Sequence, residues 1–235
     1  MLNVAKVKAV FRENRLTGGV YERLYGVYYH KIRPRFISRQ LRRRGPDVLR
    51  KLCADLESAP MPVFAVYGTL LGFMREGRFI SFDNDLDFGV LGKDKKDLQD
   101  LFKWMKSRGY HLTHFFTIDG DMLEFSIEID DVSIDFFWFG EWKDQGFGSF
   151  VFFKDSNESV EDLTHRVSFL KCSPIQSIST RETFGIDVPI PSEPERFLED
   201  IFTENWRIPD PHWVSENGPA WNELRDTEGI LTRLS

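Results

Sequence analysis

Phe79-Ile80-Ser81-Phe82-Asp83-Asn84-Asp85-Leu86-Asp87-Phe88-Gly89-Val90 sets three carboxylates at alternate positions inside an otherwise apolar stretch. In an extended chain successive side chains take opposite faces, so Asp83, Asp85 and Asp87 share one face while Phe82, Leu86 and Phe88 take the other. Carboxylates packed this closely repel one another and resist ionising together, which is costly unless a cation compensates. The row therefore calls for a divalent cation, Mg²⁺, Mn²⁺ or Ca²⁺.

Upstream of the row, Val63 to Tyr67 is a short apolar run suited to a buried strand that ends at the turn Gly68-Thr69. Leu70 to Met74 begins a helix that Gly77 ends. Before this strand, Val48, Leu49, Leu52 and Leu56 follow helical spacing from Asp47 as N-cap, with Gly45-Pro46 as a boundary and Pro60 and Pro62 as breakers. Downstream, Asp94 to Arg108 reads as a helix closed by Gly109. Phe125, Ile127 and Ile129 alternate, Asp130-Asp131 turns, and Val132, Ile134, Phe136 and Trp138 alternate again, which is a hairpin. Its second strand carries Asp135 on the face opposite Ile134 and Phe136, where it can join the Asp83 row as a third ligand. Phe150 to Phe153 adds an outer strand, and Phe197, Leu198 and Ile201 lie on one side of a helix after Pro191. Asp210 to Ser235 reads as a loosely packed polar tail.

Two chemistries compete for Asp-x-Asp-x-Asp. A calcium loop of the EF-hand type needs Gly at its sixth position and Glu at its twelfth, but those positions hold Phe88 and Asp94 among β-forming residues, so it is excluded. A two-metal phosphoryl-transfer site needs two aspartates on one strand, a third from a neighbour, and a glycine turn whose N–H groups reach phosphate. Asp85, Asp87, Asp135 and Gly68-Thr69 meet that description. Arg75 and Arg78 lie where guanidinium contacts to phosphate are useful. His111 and His114 have ligand-like spacing but lack a third partner, and read as surface or packing residues.

Tyr67-Gly68-Thr69-Leu70-Leu71-Gly72-Phe73-Met74-Arg75, then Gly77, Phe79-Ile80 and Asp83 to Asp87, resembles the signature of the LicD family, which includes bacterial phosphocholine transferases and the fukutin and fukutin-related ribitol-phosphate transferases. Ser133 to Phe137 is similar to its later aspartate strand, and Val188 through Trp206 to its C-terminal helix and Asn-Trp element. The resemblance implies an α/β (α+β) nucleotidyltransferase fold like that of DNA polymerase β, a mixed sheet flanked by helices. It implies a phosphotransferase that moves a phosphocholine, polyol-phosphate or sugar-phosphate unit from a CDP-linked donor to a glycan or lipid-linked glycan, releasing CMP. Asp85 and Asp87 then hold Mg²⁺ or Mn²⁺, Asp135 completes the site and deprotonates the acceptor, Gly68 and Thr69 contact donor phosphate, Arg75 neutralises it, and Asp83 supports the ligands. Nucleotidyl transfer from an NTP uses the same groups, and a non-catalytic glycan- or nucleotide-binding relative is the alternative from another class.

The 235 residues suit one catalytic domain, 46–235, with a basic N-terminal extension, 1–45. Residues 1–44 carry 12 Lys or Arg against Glu13 and Glu22, a net of +10, leaving −16 on the rest within a total of −6. The extension interleaves Tyr21, Tyr25, Tyr28, Tyr29, Ile32 and Phe36 with basic residues, the pattern of a helix on an anionic membrane surface or of one packed on the domain. Nucleic acid is not an expected partner, because the acidic remainder repels phosphates. Cys53 and Cys172 lack the CxxC spacing of a metal or redox site, and no run has signal-peptide or transmembrane character, so the expected compartment is the cytoplasm, with peripheral contact at the inner membrane face.

Overall fold

The computed structural model describes residues 33–154, 162–210 and 212–234. Most of the aromatic, basic extension, including Tyr21, Tyr25, Tyr28 and Tyr29, lies outside the described residues. Helix α1 (Arg33–Leu56) leads into strand β1 (Val63–Ala65), helix α2 (Tyr67–Glu76), strand β2 (Asp85–Leu91) and helix α3 (Lys96–Ser107). Four strands follow, β3 (His111–Ile118), β4 (Asp121–Ile129), β5 (Val132–Trp142) and β6 (Gly146–Phe153), and then β7 (Thr164–Lys171). A small hairpin, β8 (Ile178–Thr183) and β9 (Ile186–Pro191), precedes helix α4 (Pro194–Phe202) and strand β10 (Trp221–Arg233).

The main sheet runs β1-β2-β5-β4-β3-β10-β7-β6, and β6 also pairs with the far end of β5. Six strands thereby close into a barrel-like ring from which β2 and β1 extend. The sheet is mixed: β2 is parallel to β5, and the other pairings are antiparallel. The expected hairpin is present, with Ile129 opposite Val132. Its turn residues Asp130 and Asp131 both have positive φ, 50° and 63°, as a two-residue turn matched to strand twist requires.

One face of β2, β5 and β4 carries Leu86, Phe88, Ile134, Phe136, Phe125 and Ile127, all buried. Phe136 stacks between Phe88 and Phe125, and Phe102 of α3 meets Phe125 edge-on. Leu98, Leu101 and Met105 of α3 and Leu49 and Leu52 of α1 complete this core. The opposite face of the same strands carries Asp85, Asp87, Asp135, Ser126 and Glu124 beside the aromatic Phe137, and there the candidate site forms.

Three expectations are corrected. Helix α1 does not start at Asp47 but runs unbroken through Gly45-Pro46. Leu41, Val48, Leu49 and Leu52 form one buried stripe on both sides of the proline, and tertiary packing outweighs the local preference to break. The segment from Asp210 is not a loose tail, because β10 pairs with both β3 and β7. Its sequence is polar on the solvent side, with Leu231 supplying a buried position. Phe150 to Phe153 belongs to β6, which pairs with β7 and β5 rather than standing at an outer edge.

Helix α2 ends as expected at Gly77 in the left-handed region (φ 64°), its N–H bonded to the Gly72 carbonyl. At Gly72 the chain that leads to the aspartates passes very close: a Cβ there would lie 2.6 Å from the Arg78 carbonyl oxygen and 3.0 Å from the Ile80 nitrogen. Gly72→Ala is expected to destabilise the fold by roughly 1–3 kcal/mol through overpacking against backbone, despite alanine's better helix propensity. Urea denaturation checks this; an unchanged or raised midpoint would contradict the close approach.

Candidate active site

Strand register assembles the site. Parallel pairing sets Asp87 of β2 beside Asp135 of β5 and Asp85 beside Ser133. Antiparallel pairing sets Ser126 of β4 opposite Asp135 and Glu124 opposite Phe137. Directly paired residues share a face, so Asp85, Asp87, Asp135, Ser126 and Glu124 form one polar patch across three strands. Asp83 precedes β2 in a turn, its N–H donating to the Ile80 carbonyl at 3.1 Å, so it reaches the patch from the loop and not from the strand.

The start of α2 abuts this patch. Gly68 N–H donates to Asp87 Oδ2 at 3.1 Å, and Asp87 N–H donates to Thr69 Oγ1 at 2.8 Å. A Cβ on Gly68 would stand 3.0 Å from Asp83 Oδ2 and 3.3 Å from Asp87 Oδ2. Glycine is therefore the residue that lets the helix N-terminus, with its partial positive charge, approach the carboxylates. Thr69 is wholly buried behind them, and its hydroxyl is engaged with the β2 backbone. The structure thus places Thr69 in the supporting wall, away from the surface where a phosphate contact was expected. Arg75 faces the cavity, its side chain 11% exposed and paired with Glu76 Oε1 at 3.0 Å, while its Nε is buried without a hydrogen-bond partner. Arg78 is largely exposed and pairs with the same glutamate.

Burial raises the pKa of every carboxyl group in the cluster, and mutual repulsion adds to the shift at all of them but Asp85. Asp83 and Asp135 are each pushed up to about 7, in both cases first by burial and then by the Asp85 charge; Arg75 opposes the shift at Asp83, and Ser126 and Ser133 hydrogen bonds oppose it at Asp135. Burial also raises Asp85 and holds Asp87 well above the usual carboxylate range, with Asp85, Asp83 and Asp135 adding to the effect at Asp87. Glu124 behaves in the same way, through burial and then Asp135 and Asp85.

These groups line a cavity of about 890 Å³ together with apolar and aromatic side chains, among them Phe137, Phe152, Phe202, Trp206 and Trp213. Its volume suits a small-molecule ligand with a few convergent polar groups. The donor set is all oxygen, which fits a hard dication, and Asp83 Oδ2 is buried without a hydrogen-bond partner. Among the described residues, the side chains as they stand do not bring three carboxylate, imidazole or thiolate groups into a ready cation cage.

Glu124 escaped the sequence reading, although its signal was available. Phe125, Ile127 and Ile129 mark the buried face of β4, so Glu124 and Ser126 necessarily share the other. On the far wall, between Phe202 and Ala220, the Asn205-Trp206 element is the part that the family resemblance marked in advance. Trp206 is buried, and it also lines the cavity. His111 and His114 lie on β3 without metal-like geometry, His114 Nε2 instead lying 3.1 Å from Ser126 Oγ. Cys53 and Cys172 are buried free thiols.

Gly68→Ala tests the approach of helix to carboxylates. Alanine is favoured in a helix, so the fold should hold, while the displaced aspartates should lower any phosphoryl-transfer rate on the order of 100-fold. A wild-type rate in this variant would show that the contact has no consequence.

Fold and site together define a mixed α/β domain with a buried acidic cleft flanked by a helix N-terminus and an arginine. The chain belongs to the family described as LicD/FKTN/FKRP, nucleotidyltransferase domain, which it matches over residues 61–193. It is 26% identical over 179 residues to the ribitol-5-phosphate transferase FKTN of Mus musculus, and likewise to that of Homo sapiens, alignments that cover 76% of this chain and 36% of each relative. An uncharacterized protein of Rickettsia typhi, RT0683, is 40% identical over 47 residues, 20% of this chain and 15% of that protein. The chain thus spans little more than a third of the length of its FKTN relatives.

Proposed function

We propose that this chain is a Mg²⁺- or Mn²⁺-dependent phosphotransferase on a nucleotidyltransferase-type fold, moving a phosphocholine, polyol-phosphate or sugar-phosphate unit from a CDP-activated donor to a glycan hydroxyl. The observation that carries the reading is the parallel β2–β5 pairing, which sets Asp85 and Asp87 beside Asp135 on the cavity face. Family membership supports it, and the ribitol-5-phosphate transferases among the relatives favour a polyol-phosphate as the unit transferred.

In this reading Asp85, Asp87 and Asp135 hold the cation, and Asp83 braces them from the loop. A bound dication would neutralise charge on the transferring phosphoryl group and the leaving oxygen. Arg75, with an unspent buried N–H, and the N-terminal turn of α2 at Gly68 bind donor phosphate oxygens. Asp135, kept as a carboxylate by the cation's charge, takes the proton of the attacking hydroxyl. The aromatic side chains that line the cavity orient the organic part of the donor and exclude water.

The test is incubation with CDP-ribitol, CDP-glycerol, CDP-choline or CTP in Mg²⁺, with an oligosaccharide acceptor. CMP release with acceptor modification supports the proposal. Pyrophosphate from CTP would replace it by nucleotidyl transfer, and turnover of none of these with any acceptor tried, alongside tight binding of CDP compounds, would make the chain a binding protein.

A further inference from the structure

We infer that the outer face of α1, together with the rim of the cavity, docks on an anionic lipid bilayer. The core-facing stripe of α1, Ser38, Leu41, Val48 and Leu52, leaves Arg35, Arg39 and Arg43 on the other side, at four-residue spacing and all exposed. Phe36, 60% exposed, shares that outer side. Among the described residues the ion pairs of this helix are Arg44–Asp131, Arg50–Asp47 and Asp55–Arg108, and Arg42 donates to the Ser81 carbonyl. Arg35, Arg39 and Arg43 thus have no ion pair to the body of the protein among the described residues.

The helix is fastened to the cavity mouth. Ser38 Oγ lies 3.0 Å from both the Phe82 carbonyl oxygen and Asn84 Oδ1, which ties α1 to the loop that carries Asp83. Phe82 is 68% exposed and Ile208 is 69% exposed, and both line the cavity. Two large apolar side chains held in water at the cavity mouth, one of them in the loop tied to α1, together with three guanidinium groups that have no ion pair among the described residues, make the pattern of an interfacial docking surface: aromatic and aliphatic groups enter the headgroup region while arginines meet lipid phosphates. Charge segregation reinforces the match, because a bilayer surface attracts the basic segment and repels the acidic remainder, which orients the molecule. A nucleic acid would meet the arginines but has no use for Phe36, Phe82 and Ile208, and the acidic cavity beside them repels it.

The inference does not depend on the reaction proposed for the cavity. Its test is co-sedimentation of the full chain with vesicles of phosphatidylcholine alone or mixed with phosphatidylglycerol. Binding to the anionic vesicles only, weakening as salt rises, is expected. Replacing Arg35, Arg39 and Arg43 together by Ala should weaken it on the order of 100-fold. Phe82→Ser with Ile208→Ser should weaken it roughly tenfold while leaving the salt dependence in place. Asp85→Asn should sediment with the vesicles like the unaltered chain, whatever its effect on transfer. Equal vesicle binding by the unaltered chain and both surface variants would overturn the inference. So would equally tight binding to a single-stranded oligonucleotide, or a change of oligomeric state in the arginine variant without loss of vesicle binding, which would assign the face to a second copy of the chain.

Discussion

Asp87→Asn is expected to abolish transfer and, in chelating buffer, to raise the melting temperature. Asp87 lies at the centre of the cluster, partly buried at the cavity wall and repelled by Asp85, Asp83 and Asp135. Asparagine is nearly isosteric, so its carbonyl oxygen can keep the bond from Gly68 N–H, and the backbone bond to Thr69 is untouched. The substitution removes a buried like charge, and each kcal/mol so recovered raises the melting temperature by roughly 2–4 °C for a chain of this size. The same change deletes a cation ligand, and a loss of about 1000-fold in rate, roughly 4 kcal/mol, follows if the dication's stabilisation of the transition state goes with it. Calorimetry and CMP release read the two effects separately. Full activity in this variant would sink the assignment of Asp87, and a lowered melting temperature without metal would sink the account of the cluster as a source of strain.

The second large effect is a pH dependence whose direction is unusual for a protein rich in carboxylates. Asp83 is held at about 7 against an ordinary 3.8, so the folded chain keeps a proton that the unfolded chain has released. Stability from this group is therefore greatest in acid, falls as pH rises from about 4 to about 7, and is level above that, a loss on the order of 4 kcal/mol. Asp135, also at about 7, acts in the same direction. In chelator the urea midpoint should drop between about pH 5 and about pH 7.5. Mg²⁺ at the higher pH should restore much of the loss, because it binds the ionised cluster of the folded state. A midpoint that is flat or climbs over this window would show that these carboxyl groups are not held protonated by the fold.

The parts of the site legible in the sequence were those governed by strand periodicity. Asp85, Asp87 and Asp135 announced their common face through Leu86, Phe88, Ile134 and Phe136 on the other, because a period of two leaves no alternative. Gly77 and Asp130-Asp131 were legible for a related reason, since their backbone conformations are local. Closure of the ring was not, because it depends on which strands meet, and β10 carries too few apolar residues to advertise that it lies between β3 and β7. Thr69 looked like part of a phosphate turn, yet the helix starts at Tyr67 and turns its hydroxyl inward. Pro46 looked like a break because local propensity takes no account of the Phe79 ring, against which Gly45 packs.

The closing strand has a consequence for how the molecule is made. Ile230 of β10 sits opposite Thr117 of β3. The chain between them must be gathered before that ladder forms, and such long-range closure slows folding. The aspartate strands and their hairpin are built from nearer neighbours and can pair earlier. Until β10 arrives, the edge of β3 is left bare, and that edge is the one most open to pairing with another chain.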